Sequence, residues 1–357
     1  MAMGLKKIFK KIFKTNSSVN NFKLSKPLKI GIFGAGAQAT LLAKQVISAG
    51  AKIEVIHDIK IDAAKKLAQI TNTKNCTDKI EDFFKFSMDG ILISTIPTVR
   101  TEPIKQACDK KINIFVEKPP AYDLKMGREC LNYIKNSGII SSVGFQSRYD
   151  PRYEKLKKLI EGKEIHLVRT KLTIGYYPVI QVPEWYLQKK ISGGPYAEQA
   201  IHLLDCVRYI LNNPKPIRAA SMGVKNMVNY NNNIDAENSL QLIYELDNGI
   251  FGSHTNHCGH DVTKWDLELI GPNLRLEANA TEKVIKGTIQ GKKINEKFGP
   301  NNDLGGLDKI SAWLKSIQEN NKSYIRSSYE ESLNTQALIE AAIKSQNSNK
   351  MELVEKI

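Results

Sequence analysis

The chain has 357 residues, 41% hydrophobic and 25% charged, the balance of a globular protein with room for two domains. Its five cysteines, Cys76, Cys108, Cys130, Cys206 and Cys258, are scattered without a C-x-x-C pair. That argues against a disulfide framework or a structural zinc and points to a reducing cytoplasm. The net charge is +15, but residues 1–29 hold eight lysines and no acid, so +7 remains for the rest. The basicity therefore says little about nucleic acid, for which the body shows no motif, and no apolar run approaches the ~18 residues of a membrane span.

Residues 1–27 read as a basic arm and linker. Leu5, Ile8, Phe9, Ile12 and Phe13 recur at helical spacing with lysines between them. That pattern predicts an amphipathic helix over 4–14, suited to peripheral contact with an anionic membrane or to docking on a protein surface.

From residue 28 the pattern changes. Lys29 to Phe33 reads as a first strand, and Gly34-Ala35-Gly36-Ala37-Gln38-Ala39 opens a helix running to Ser48. In this G-x-G-x-x-A turn the first glycine permits the tight bend. The second lets backbone approach a pyrophosphate, and the small third residue allows helix–strand packing. The helix start offers free N–H groups to phosphates. A second strand, Lys52 to His57, ends at Asp58, 22 residues after Gly36. A carboxylate there accepts from an adenosine ribose hydroxyl and repels a 2′-phosphate. NAD is thus expected, with NADP left open by Lys60. A strand over 90–95 leads to Thr95 and Pro97, expected beside a nicotinamide. A helix over 102–110 and a strand over 112–116 lead to Glu117-Lys118-Pro119. Proline restricts the lysine backbone, so the ammonium is aimed into the crevice, where it can stabilise an alkoxide. Alternating strands and helices predict a doubly wound parallel sheet over 28–147.

The second half, 148–357, begins near Arg148 and Tyr149, followed by the aromatics Tyr176, Tyr177, Trp185 and Tyr186. Rings of this kind stack on sugars or anchor loops. Ser192-Gly193-Gly194-Pro195 then opens a helix carrying Glu198, His202 and Asp205, whose spacing puts them on one face. A histidine of near-neutral pKa flanked by carboxylates suits proton transfer from an alcohol. Hairpin signals over 215–290 predict an open, mainly antiparallel sheet, and 306–319 and 328–345 read as closing helices. His254, His257, Cys258 and His260 invite a metal reading. In a strand, 257 faces away from the other three, so no metal is expected.

Taken together, Gly34 to Ala39, Glu117-Lys118-Pro119, Gly144-Phe145-Gln146-Ser147-Arg148-Tyr149, and Gly193-Gly194 leading to Glu198, His202 and Asp205 resemble the glucose–fructose oxidoreductase / inositol dehydrogenase / rhizopine-catabolism (Gfo/Idh/MocA) oxidoreductases. The resemblance covers nearly everything after the arm. It implies an N-terminal Rossmann domain and a C-terminal α/β domain with an open sheet commonly used for oligomer contacts, hence a dimer or tetramer. It assigns Lys118 to the reacting hydroxyl and the nicotinamide, and His202 to acid/base work. Glu198 stands where the family usually has aspartate. The family's substrates are sugars, polyols, nucleotide-sugars and their acids.

The expected reaction is hydride transfer between NAD(P) and a secondary hydroxyl or ketone of such a molecule. Lys118, His202 and Glu198 would be catalytic. Gly34, Gly36, Ala37, Gln38, Asp58, Thr95, Pro97, Glu117 and Lys118 would hold the cofactor, and Arg148, Tyr149, Trp185 and Asp205 the substrate. Glycoside cleavage through transient oxidation and a non-catalytic dinucleotide sensor are the rivals.

Overall fold

A computed structural model describes residues 24–174, 184–225, 235–258, 263–299 and 305–357. The amphipathic segment 4–14, Tyr176, Tyr177 and His260 lie outside the described residues. Among the described residues no helix is long and apolar enough to cross a membrane.

The first sheet comprises β1 (Lys29–Phe33), β2 (Lys52–His57), β3 (Asn75–Thr77), β4 (Gly90–Ile93), β5 (Asn113–Val116) and β6 (Ser141–Val143). All pairings are parallel, in the order β3-β2-β1-β4-β5-β6. Ile30, Ile32, Ile91, Leu92, Ile93, Ile114, Phe115 and Val116 are fully buried, as strands covered on both faces must be. The order reverses between β1 and β4, and that switch point opens the crevice in which such sheets bind ligands.

Among the described residues the second sheet has nine strands: β7 (Leu167–Thr173), β8 (Pro216–Val224), β9 (Ser239–Leu246), β10 (Phe251–His257), β11 (Lys264–Gly271), β12 (Leu274–Asn279), β13 (Val284–Ile289), β14 (Lys292–Lys297) and β15 (Glu352–Leu353). Every pairing is antiparallel except β7 with β10. One face is covered and the other open. Along β9, Leu240, Leu242, Tyr244 and Leu246 point into the core while Gln241 and Ile243 face outward, the period-two alternation of a half-buried sheet. Helices Ile201–Ile210 and Tyr329–Ser348 share that core.

Packing does not follow the sequence boundary between 28–147 and 148–357. Helix Gly306–Glu319 returns to the first sheet, where Ile310, Trp313 and Leu314 join Leu28, Ile30, Leu42, Leu92 and Phe115 in one cluster. Trp313 lies so close to β4 that a Cβ on Gly90 would stand 2.8 Å from its ring. A late segment thus supplies part of the layer that covers the parallel sheet.

Candidate active site

The glycine turn is held in place by its neighbours. Gly34 takes φ +95°, which only glycine adopts without strain, and a Cβ there would meet Thr95 at 2.9 Å. Asp58 Oδ2 accepts from Ala35 N at 2.7 Å and Oδ1 from Lys60 N at 2.9 Å. The carboxylate therefore clamps the turn to the end of β2, next to where a ribose bound by this turn would lie. A Cβ on Gly36 would meet no atom within 4 Å, so the backbone is open to a ligand there. Helix Ala37–Ser48 has no side-chain cap at its start, leaving its first N–H groups available to phosphate. These features fit a dinucleotide.

The ends of β4 and β5 are tied by Arg100, which the sequence did not reveal. Its guanidinium is buried and donates to Thr95 O (Nε, 3.2 Å), Glu117 O and Pro119 O. Burial pushes its pKa down to about 10, so it remains a cation at neutral pH. Pro97 starts the short turn that leads to it. The same arginine thus sets both sides of the crevice mouth. Lys118 precedes Pro119 through a cis peptide bond.

Lys118 Nζ lies 2.6 Å from Glu198 Oε2 and donates to Glu198 O at 3.0 Å. Glu198 sits in a wide π turn, Tyr196–Ala200, entered through Gly193 and Gly194, both at positive φ. The extra residue per turn displaces Glu198 relative to a regular helix, and its long side chain reaches the lysine. Glu198 and Lys118, both expected to be catalytic, form an ion pair with each other.

His202 follows in the regular helix, 8% exposed, with its ring centre 5.4 Å from that of Trp265. Among the described residues its buried Nδ1 has no hydrogen-bond partner. Burial first, then the cations Lys118 and Lys309, push its pKa well below 6.5. In place of the expected near-neutral imidazole flanked by carboxylates, burial and two nearby cations favour the neutral ring. If it accepts the hydroxyl proton, the acid limb of kcat/KM in oxidation must lie below pH 6.5. A pH–rate profile with its acid limb above that value would show that burial and the two cations do not govern the base.

Asp205, Arg148 and Tyr149 are corrected as well. Asp205 and Arg148 are fully buried and pair bidentately, Nε to Oδ2 and Nη2 to Oδ1, both 2.7 Å. Asp205 also accepts from Thr335 Oγ1 at 3.0 Å, and Arg148 donates to Asn213 Oδ1 and Arg326 O. The Tyr149 hydroxyl accepts from Arg326 N at 2.9 Å. With its carboxylate taken up by buried partners, Asp205 has no oxygen exposed to a substrate. The three residues bind the second-half helices to one another. Trp185 packs edge-on against Tyr186, whose hydroxyl accepts from Gln199 of the π turn.

The His254 cluster is dispersed. His254 Nδ1 pairs with Thr170 Oγ1 at 2.9 Å, His257 Nδ1 with Ser239 Oγ at 2.7 Å, and Cys258 Sγ accepts from Asn256 at 3.1 Å. Burial pushes His254 down to about 4.

Residues 28–145 match the NAD-binding Rossmann fold of the Gfo/Idh/MocA oxidoreductase family, and residues 157–354 match its C-terminal alpha/beta domain. The chain belongs to this family. Among curated relatives, the Bacillus subtilis oxidoreductase YrbE is 30% identical over 193 residues, 53% of this chain and 55% of that protein. The scyllo-inositol 2-dehydrogenase (NAD(+)) of the same organism is 27% identical over 255 residues, 68% and 71% of the two chains. Several matches of this kind span only about half of each relative's length, 55% for YrbE and for the Rhizobium meliloti inositol 2-dehydrogenase. The fold is shared over a longer span. Levoglucosan dehydrogenase in complex with NADH superimposes with a TM-score of 0.84 at 16% identity, over 93% of this chain and 100% of that one.

Proposed function

We propose that the protein is an NAD(H)-dependent oxidoreductase acting on a secondary hydroxyl, or the matching ketone, of a sugar, polyol or nucleotide-sugar. The observation that carries this reading is the convergence of Lys118, Glu198 and His202 at the crevice beside the glycine turn and Asp58. Gly34, Gly36, Ala37, Gln38, Asp58, Thr95, Pro97 and Glu117 would hold the dinucleotide, which supplies a hydride acceptor when bound. In oxidation, neutral His202 takes the hydroxyl proton, and its dry, cationic surroundings favour passing that proton on. Lys118, aimed by Glu198, offers a charge to the alkoxide, where an oriented cation lowers the barrier more than solvent can.

The test is reduction of NAD+ and NADP+ across a panel of polyols, sugars and nucleotide-sugars. Turnover with any of them, preferring NAD+, supports the reading. Release of a sugar leaving group without net NADH would indicate oxidation-dependent glycoside cleavage instead, and NAD+ binding with no chemistry would indicate a sensor.

The basic segment 4–14 is proposed to rest on anionic membrane, since lysines alternate with an apolar stripe there. Full-length protein should co-sediment with phosphatidylserine vesicles and lose that binding at high salt or on deletion of residues 1–23. Equal sedimentation of the deletion variant would reject the idea.

A further inference from the structure

Glu117 is the meeting point of four separate segments. Its Oε1 lies 3.2 Å from Lys309 Nζ and 3.5 Å from Gln38 Nε2 of the glycine turn. Its Oε2 accepts from Lys118 N at 3.3 Å. From the turn after β6, Gly144 approaches so closely that a Cβ would stand 2.7 Å from Oε1. Lys309 comes from helix Gly306–Glu319, 192 residues further along the chain, and its side chain is 4% exposed against 6% for Glu117. Its ammonium also lies 5.5 Å from the centre of the Phe115 ring on β5.

Burying two charges is costly, and an apolar pair of similar volume is often at least as stable. Stability alone is therefore a poor reason for this pair. Its position is more informative. Glu117 touches both the turn expected to hold the cofactor and the backbone of the residue expected to carry the catalytic charge. Gln38 offers it only a long, neutral hydrogen bond. Without a cation beside it, a buried carboxylate swings toward water or takes up a proton, and either change releases Gln38 and the Lys118 backbone.

We propose that Lys309 is a positioning residue for the cofactor cleft: it neutralises and orients Glu117, which in turn fixes Gln38 and Lys118. The inference rests on the function proposed above. It extends the site to a helix distant in sequence, by a residue that does not touch the reacting atoms.

The test uses the full chain. NAD+ binding is titrated by calorimetry without substrate, and kcat and KM are measured with whichever panel substrate turns over. Lys309→Met should weaken NAD+ binding by about tenfold, the loss expected when a charged hydrogen-bond partner is removed, with Lys309→Arg restoring most of it. A second readout is the acid limb of kcat/KM. His202 faces Lys118 and Lys309, with the Trp265 ring packed beside it. Removing one cation should move the limb to higher pH in Lys309→Met, which a purely structural role would not do. Should Lys309→Met fail to fold, the double variant Glu117→Gln/Lys309→Met removes both charges and should fold while still binding NAD+ weakly. Wild-type NAD+ affinity and an unmoved acid limb in the folded Lys309→Met or double variant would overturn the inference alone. A wild-type protein that binds no NAD+ would overturn the functional reading and this inference with it.

Discussion

Lys118→Ala is expected to lower kcat/KM for alcohol oxidation by roughly 10²–10³-fold, the range found when one oriented donor to a developing oxyanion is deleted. NAD+ affinity should change far less, because the glycine turn and Asp58 hold their geometry through backbone contacts that the ammonium does not make. The substitution also leaves Glu198, only 6% exposed, without the cation now 2.6 Å away. Thermal stability should fall too, and Lys118→Ala/Glu198→Ala should recover it without recovering activity. That split separates the two roles of the lysine. Undiminished turnover in Lys118→Ala with normal NAD+ binding would end the catalytic assignment.

Asp205→Asn should behave in the opposite manner. Breaking a buried pair by neutralising one partner costs about 3–5 kcal/mol, since the other charge remains where water cannot reach it. Arg148 would be that stranded charge, with no exposed surface. A large drop in the denaturation midpoint is expected, while the fraction that stays folded keeps KM for the sugar-like substrate within a few-fold of wild type. Arg148→Met/Asp205→Leu should regain much of the stability. A variant of normal stability with a strongly raised KM would instead return Asp205 to the substrate site.

The two variants also mark what could be read from the chain and what could not. The glycine turn was legible because φ +95° at Gly34 and an open backbone at Gly36 each demand a residue type that leaves a trace in sequence. The same holds for β1 and β2, whose apolar runs have the length of buried strands. Helical spacing put Glu198, His202 and Asp205 on one face, but it assumed a regular helix. The π turn over 196–200 sends Glu198 to Lys118, and nothing in Tyr196 to Ala200 announces an extra residue per turn. Arg148 and Asp205 looked like site residues because charge is easy to see and burial is not. Arg100 had no visible signal, since its partners are backbone carbonyls. Lys309 did carry one. It lies four residues before Trp313 and next to Ile310, on the apolar side of its helix, where a lysine needs a buried acid.

The return of helix Gly306–Glu319 to the parallel sheet bears on how the protein is made. A ribosome completes β6 long before it reaches Trp313, and at 5–20 residues per second the interval is on the order of ten to thirty seconds. Throughout it, Phe115, Leu92 and Leu42 lack the side chains that later cover them. The emerging half must spend that time with an apolar face bare, as a client for chaperones. Messages truncated before codon 306 should yield a first half prone to aggregation, however complete its six strands.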